Sequence, residues 1–477
     1  MNRSLFLLAL LGLAPLTRAQ TTAPRLSLTE ALRLAQQNSL LIRQARLDLE
    51  SGQIQWQQAR QNRLPTLNLF ASQAFSSGRN INPTTNQFVE QQVTSNSYQL
   101  GSALTLFNGF ALTNAIRQAD LFRQSAQAGV DAAQLAVTLA VLQGYLQVLT
   151  TDEQLDVARR QVETSRAQVE RTRRLVDAGT VAEGTLFDLE AQQAADALAV
   201  VNARNAADLA KLALVQALNL PDGTELGTFS VEKIPLIDPT QASEISATAV
   251  YQAALERFPD VRAADLQVRS DELGIRVARA ARYPSLSLEG GVSTLYSSLG
   301  LQRFVADGTT IVRESGEFIT IGGVQQPVLS ESPGGAFVDY RYLEQLRNNL
   351  NRSVSLNLRV PLLNNFQARN RIATAVVLRN RSQVAAETVR LQLRQAIETA
   401  VTTLRAAANR FAATSEQVRA LERAFATAQS RLDAGTLNAA EYLLAKTALD
   451  RARADQIQAR YDYALRTQML ELYRGGR

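Results

Sequence analysis

Val141, Val148, Leu155, Val162, Val169 and Val176 mark one apolar stripe at seven-residue spacing, and Ile397, Leu404, Phe411, Val418, Phe425 and Leu432 mark a second. The two stripes are in register, 256 positions apart, counted from Val141 to Ile397. Each runs into the same short motif: Leu175-Val176-Asp177-Ala178-Gly179-Thr180 in the first and Arg431-Leu432-Asp433-Ala434-Gly435-Thr436 in the second. A glycine at the end of an apolar period can take positive φ, cap the helix and let the chain turn. The sequence therefore predicts a tandem duplication, each copy holding a very long helix, a turn and a return helix.

Outward from the stripes, each copy opens with a shorter helical pattern, 28–63 and 247–282, aligned at an offset of 219 through Leu32 with Tyr251, Ile42 with Val261 and Ala45 with Ala264. Both patterns stop at a proline, in Leu64-Pro65-Thr66-Leu67 and Tyr283-Pro284-Ser285-Leu286. Proline pushes the preceding residue out of the α region and supplies no donor to a continuing helix. Beyond it the period changes from 3.6 to 2. Val354, Leu356, Leu358 and Val360 alternate with Ser353, Ser355, Asn357 and Arg359, and Leu286, Leu288 and Val292 alternate with Ser287, Glu289 and Ser293. Strands are expected over 65–76, 97–107, 285–297 and 351–362, each near the roughly ten residues that a tilted strand needs to cross a bilayer. Polar loops are expected between them, from Ser77 to Asn96 and from Ser297 to Leu350, the second accounting for the change of offset.

The long helical patterns begin after Asn108-Gly109-Phe110 and Asn364-Asn365-Phe366. Each would reach roughly 100 Å at 1.5 Å per residue, so each needs neighbours on more than one side. Small residues at Ala158, Ser165 and Thr172, matched by Thr414, Leu421 and Ala428, offer a second packing stripe. The domain reading is a signal at 1–19, a first repeat at 20–230 with its helical hairpin at 110–218, a linker at 231–245, and a second repeat at 246–477 with its hairpin at 366–474.

Arg3, the apolar run from Leu5 to Leu13 and Thr17-Arg18-Ala19 have the charge, hydrophobic stretch and small-residue cleavage site of a secretory signal, so export is expected. No later stretch reaches roughly 18 unbroken apolar residues, and a bilayer crossing would have to use strands. Cysteine and histidine are both absent. That removes disulfides, the thiol nucleophile, the commonest proton shuttle and the commonest transition-metal ligands, leaving an enzyme only carboxylate chemistry. No enzyme and no cofactor are expected. The formal charge of +6, or +4 once Arg3 and Arg18 leave with the signal, comes from 50 basic residues spread among 44 acidic ones, the pattern of solvated helices and not of a nucleic-acid footprint. Only three of the basic residues are lysines.

Four strands cannot close a barrel, since two edges would stay unpaired in hydrocarbon, so closure requires several chains. At this point the sequence resembles the TolC family of outer-membrane efflux proteins. The resemblance rests on the duplicated order of helix, strand, loop, strand and hairpin, on Pro65 and Pro284, on the turns Leu106-Phe107-Asn108-Gly109 and Leu362-Leu363-Asn364-Asn365, and on the two Ala-Gly-Thr tips. It implies a mainly α fold with a transmembrane β part: a homotrimer whose twelve-stranded β-barrel continues into a twelve-helix α-barrel, in the outer membrane of a diderm bacterium with a long periplasmic extension.

The implied function is the exit duct of a tripartite efflux or type I secretion system. The implied partners are outer-membrane lipid, a periplasmic adaptor (membrane fusion protein) and an inner-membrane pump, with no nucleic acid. The tips Leu175, Ala178, Gly179, Thr180, Leu432, Ala434, Gly435 and Thr436 would dock the adaptor, although their residue types are also those of plain helix caps. Relatives narrow the tunnel with acids six and nine residues past the second tip glycine; here those positions hold Glu441 and Leu444, and the sixth position of the first copy holds Thr185, near Glu183 and Asp188. Leu432 and Leu437 stand where the family has polar gate-holding residues. The alternative is an exported periplasmic coiled-coil adaptor or scaffold, which would carry heptads and a signal without the paired strands.

Overall fold

The computed structural model describes residues 25–81, 87–220, 230–233 and 245–475. The expected signal and most of the expected linker lie outside the described residues. In chain order the first half contains β1 (Arg25–Leu26), α1 (Leu28–Asn38), α2 (Leu40–Gln61), β2 (Thr66–Ser76), β3 (Arg79–Ile81), β4 (Phe88–Glu90), β5 (Val93–Asn108), α3 (Ala111–Asp177), α4 (Glu183–Leu218) and β6 (Ser230–Val231). The second contains α5 (Ala247–Arg257), α6 (Pro259–Arg279), a 3₁₀ turn (Ala280–Arg282), β7 (Ser285–Ser297), β8 (Gln302–Ile321), β9 (Val324–Asp339), α7 (Tyr342–Asn348), β10 (Asn351–Arg359), α8 (Gln367–Asp433) and α9 (Ala439–Arg474). Helices α3 and α8 are both 67 residues long, and α4 and α9 are both 36.

The chain divides into two compact units. One comprises the described residues of 1–52, 122–268 and 381–477, the other 53–121 and 269–380. The first is helical. Its stripes are the core: Val141, Val148 and Ile397 are fully buried, and Leu155, Val169, Leu404 and Val418 nearly so. One cluster joins α1, α3, α4 and α9 around Tyr145, and another joins α5, α8 and α9 around Ile397. The short parallel pair of β1 with β6 lies over the first cluster, where the Tyr145 hydroxyl reaches Leu26 O at 3.0 Å and Glu232 O at 2.8 Å. Burial pushes that phenol up to about 12. By length and composition, a window of α3 could cross a membrane, although polar residues interrupt it; 44% of it is buried in the protein. Val137, Val141, Tyr145 and Leu149 place it in the first cluster.

The second unit carries a four-stranded antiparallel sheet in the order β10-β7-β5-β2. Direct pairs Leu356 with Leu288, Leu288 with Leu104 and Leu100 with Leu69 put the apolar side chains on one face. The other face carries Asn68, Gln99, Glu289, Ser353 and Ser355 around a concavity of about 400 Å³. The turns into the long helices use left-handed pairs, Gly109 with Phe110 and Asn365 with Phe366. A Cβ on Gly109 would lie 2.7 Å from Tyr283 Cβ, so that turn needs glycine twice over, for its conformation and for the close approach.

Several boundaries differ from the sequence expectation. The helices expected over 28–63 and 247–282 are each broken, at Ser39 and Phe258, residues that match at the offset of 219. Phe258 precedes Pro259 and is forced extended, whereas Ser39 turns its hydroxyl to Ile42 N at 3.4 Å and restarts the helix. The second strand begins at Val93, and the fourth ends at Arg359, before Val360-Pro361. The largest correction concerns the expected loop from Ser297 to Leu350, which contains the long β8–β9 hairpin and α7. Asp307-Gly308-Thr309 and Ser315-Gly316-Glu317 read as loop punctuation but are bulges within β8, each with a left-handed glycine. Their side chains hold the kinks, Asp307 Oδ1 accepting from Thr309 N and Ser315 Oγ from Glu317 N. The shorter expected loop likewise holds the β3–β4 pair.

Candidate functional site

Both hairpin tips lie in the helical unit and are built alike. At the first, Gly179 N–H donates to Val176 O at 2.8 Å and Thr180 N–H to Leu175 O at 2.9 Å; at the second, Gly435 N–H donates to Leu432 O at 3.0 Å and Thr436 N–H to Arg431 O at 2.9 Å. These are the paired closing bonds of a Schellman turn, and Gly179 and Gly435 take φ of 71° and 68° to make them. The threonine hydroxyls donate again to the Leu175 and Arg431 carbonyls. Helix-end acceptors are thereby satisfied inside the turn. Leu175, Ala178, Thr180, Ala434 and Thr436 are exposed, whereas Leu432 is half-buried.

The return helices start differently. Asn438 caps α9, its Oδ1 accepting from Glu441 N at 2.8 Å while its Nδ2 donates to Glu441 Oε1 at 3.1 Å. Glu441 is therefore the third residue of a capped helix start, tied to the cap through both its backbone N–H and its carboxylate. It is exposed, as is Leu444 one turn later, so neither is buried within the chain. Thr185, at the matching position of α4, is half-buried behind Ala182, which offers no side-chain cap. Glu183 opens α4 and Asp188 is exposed on its next turn.

Beneath the tips an apolar cluster joins the two hairpins: Val169, Val176, Leu186 and Leu189 from one, Phe425, Leu432, Leu437, Tyr442 and Leu443 from the other. Leu432 and Leu437 hold this contact by burial. Next to it sits a group that sequence reasoning missed. Lys446 Nζ lies 2.8 Å from Asp196 Oδ2 and 2.8 Å from Asp450 Oδ2, with its side chain 4% exposed. Gln192 Nε2 completes the site by donating to Asp196 Oδ1 at 2.8 Å. Two further ties cross between the hairpins, Arg171 to Asp433 and Arg460 to Glu153, and the Tyr461 hydroxyl also donates to Glu153 at 2.8 Å. A usable signal was present: Ala439, Tyr442, Leu449 and Ala452 are spaced as a buried stripe, and Lys446 falls within it.

The sequence profile of the outer membrane efflux protein family matches residues 31–220 and 250–476. The chain belongs to that family. Outer-membrane location and a transport part in efflux come with membership. Solved structures share its fold. The channel protein CusC is 16% identical with a TM-score of 0.75, over 94% of this chain and 92% of that one. The outer membrane protein VceC of Vibrio cholerae is 15% identical with a TM-score of 0.74, over 94% and 96%. The outer membrane channel MtrE of Neisseria gonorrhoeae, solved in its open state, is 20% identical with a TM-score of 0.67, over 94% and 88%. No curated protein sequence matches the chain.

Proposed function

We propose that three copies close one twelve-stranded barrel and one twelve-helix tunnel, and that the assembly is the exit duct of a tripartite efflux or type I secretion system. The observation that carries this reading is the sheet β10-β7-β5-β2, whose two outer edges have no partner strand among the described residues while it presents an apolar face and a concave polar face. Open edges cost several kcal/mol per orphan polar group in hydrocarbon, and joining β10 of one copy to β2 of the next removes them. The polar concavity then becomes the water-filled bore. The test is extraction: the mature protein should require detergent and run as a trimer that heat dissociates. A monomer soluble without amphiphile rejects the duct.

Each unit is built from both sequence repeats. The tips would meet a periplasmic adaptor tied to an inner-membrane pump. The helix-end carbonyls of Leu175, Val176, Arg431 and Leu432 are already used within the turns, so what the tips offer is a surface of small and apolar side chains, formed by Leu175, Ala178, Gly179, Thr180, Ala434, Gly435 and Thr436, with Leu432 supporting it from beneath. The narrowest point would lie at Glu441, Leu444 and Thr185 of three copies. One ring of three carboxylates favours cations, and the Asn438 cap fixes where each carboxylate stands. Glu441→Ala should lower cation selectivity and blockade by multivalent cations in single-channel recordings. An unchanged profile removes Glu441 from the constriction.

A further inference from the structure

The apolar face of the sheet is covered at its loop end. Helix α7 lies on it: the Tyr342 hydroxyl is 2.7 Å from that of Tyr98, its ring is 4.6 Å from that of Tyr296, and Thr294 Oγ1 donates to Leu346 O at 2.6 Å. Tyr98 is paired directly with Thr294, and Asn96 with Tyr296. Two and six residues along β7 from Thr294 stand Val292 and Leu288, on the same face by strand alternation. The helix thus sits on the side that meets lipid in the membrane reading above.

Gln345, 2% exposed, fixes its roll. It donates to Gly300 O at 2.8 Å and Tyr340 O at 3.2 Å, and accepts from Ser297 N at 3.0 Å. What α7 turns outward is therefore fixed as well: Leu343, 75% exposed, and Arg347 one turn on, with Glu344 as the one carboxylate on the helix. On the adjoining β10, the same face begins with Arg352, opposite Val292, before it continues as Val354, Leu356 and Leu358. A guanidinium thus stands at the outer limit of the apolar band, close in sequence and on the same face as a second one beside a bare leucine.

Water solvates the guanidinium but gives an exposed leucine nothing in return. Leucine at that height gains from hydrocarbon, while arginine keeps its stem along apolar surface and carries its fork to the level of headgroup phosphates, whose oxygens it matches. We infer that α7 and the start of β10 form a binding site for a phosphorylated lipid headgroup of the outer leaflet, with Arg347 and Arg352 engaging phosphate and Leu343 entering the acyl layer. The site rests on the barrel reading proposed above.

Native mass spectrometry of the detergent-extracted protein reads both layers at once, because oligomeric state and bound lipid appear in the same spectrum. The probes are lipid A with both phosphates, the same lipid with its phosphates removed, and inorganic phosphate as competitor. The wild type should hold the phosphorylated lipid and resist competition, and R347Q/R352Q should remain trimeric while its affinity falls about tenfold or more, as expected for two headgroup-level charges. R347K/R352K, which keeps the charges, should retain most of the binding. Equal binding by R347Q/R352Q, equal binding of the dephosphorylated lipid, or displacement by inorganic phosphate at matched concentration each overturns the site. Absence of a trimer in the wild type would instead reject the barrel.

Discussion

The two hairpins match residue for residue at an offset of 256, yet they solve the same packing problem with different chemistry. At one register the first hairpin places Val169, Leu186 and Glu190, and the second places Phe425, Tyr442 and Lys446. Glu190 pairs with Arg173 of its own hairpin at 2.6 Å, and both side chains are well exposed. Lys446 turns inward and reaches across to Asp196 of the other hairpin. A duplicated helix pair that must bury one side against its copy does not need two identical faces. It needs complementary ones, and here the second copy carries the bulk and the cation while the first supplies a smaller surface and a carboxylate.

The largest effect should come from breaking that complementarity. K446M leaves the buried Asp196 and the half-buried Asp450 without their cation, which costs about 3–5 kcal/mol. E190A removes an exposed pair worth at most about 1 kcal/mol. Denaturant midpoints of the two variants, measured in detergent, give the contrast directly. Replacing all three members, as in K446M/D196L/D450L, should recover most of the loss, because the desolvation cost of the charges disappears with them. Equal midpoints for K446M and E190A would show that the cross-hairpin contact does not depend on Lys446.

At the turns themselves the hairpins should behave alike. A Cβ on Gly179 or Gly435 meets nothing within 4 Å, so G179A and G435A test conformation alone. Each should cost about 1–2 kcal/mol for a left-handed non-glycine residue. A marked difference between them, read by hydrogen exchange of the flanking helix ends, would mean that the two turns carry unequal loads.

One turn further on, the hairpins diverge again. Asn438 caps α9 through both its side-chain atoms, and Ala182 at the matching position of α4 cannot. N438A should weaken the start of α9 by about 1 kcal/mol, and A182N should strengthen that of α4 by a similar amount. Amide protection of the first turns of α4 and α9 checks both, and the two substitutions together should reverse the order of protection between the tips.

How far the sequence could be read follows from the same contrast. The stripes through Val141 and Ile397, the terminating prolines and the Ala-Gly-Thr turns were legible because each is a local rule repeated at fixed spacing. The Lys446 site was legible only as a position within the stripe of Ala439, Tyr442, Leu449 and Ala452, since a charged residue there is ordinarily assigned to the wet side and only its partner 250 positions away makes burial tolerable. The β8–β9 hairpin was hidden for another reason: Gly308 and Gly316 signal a turn by their conformational freedom, and that same freedom serves a bulge within a continuing strand. Arg352 lies on the apolar face by simple alternation, but the role argued for it needed α7 placed on that face by Tyr342 and Gln345. Glu441 was legible as a candidate acid, while its part in a cap depends on Asn438 three residues before it.

The smallest effect at neutral pH should be that of Y442F, which tests whether the aromatic pair in the second hairpin works by packing or by polarity. Tyr442 is 1% exposed and its ring centroid lies 5.5 Å from that of Phe425, yet its hydroxyl has no hydrogen-bond partner among the described residues. Removing that oxygen gives up no internal bond, so the change should stay within about 0.5 kcal/mol at pH 7, well below the 1–3 kcal/mol of a lost buried bond. The contrast appears in alkali. Burial, followed by the charges of Asp450, Asp433 and Asp196, pushes this phenol up to about 12. With the folded pKa above the ordinary value of 10, the folded state holds the proton more tightly than the unfolded state, so its contribution is complete below pH 10 and is lost as pH rises from there through about 12. Tyr461, raised to about 12 chiefly by burial and then by Glu153, adds to the same loss in the wild type. Y442F should therefore retain more of its stability than the wild type between pH 10 and 12 while matching it at pH 7. Parallel curves across that range would show that the Tyr442 site opens before its phenol ionises, which would place the weak point of the second hairpin at the aromatic pair instead of at the turn.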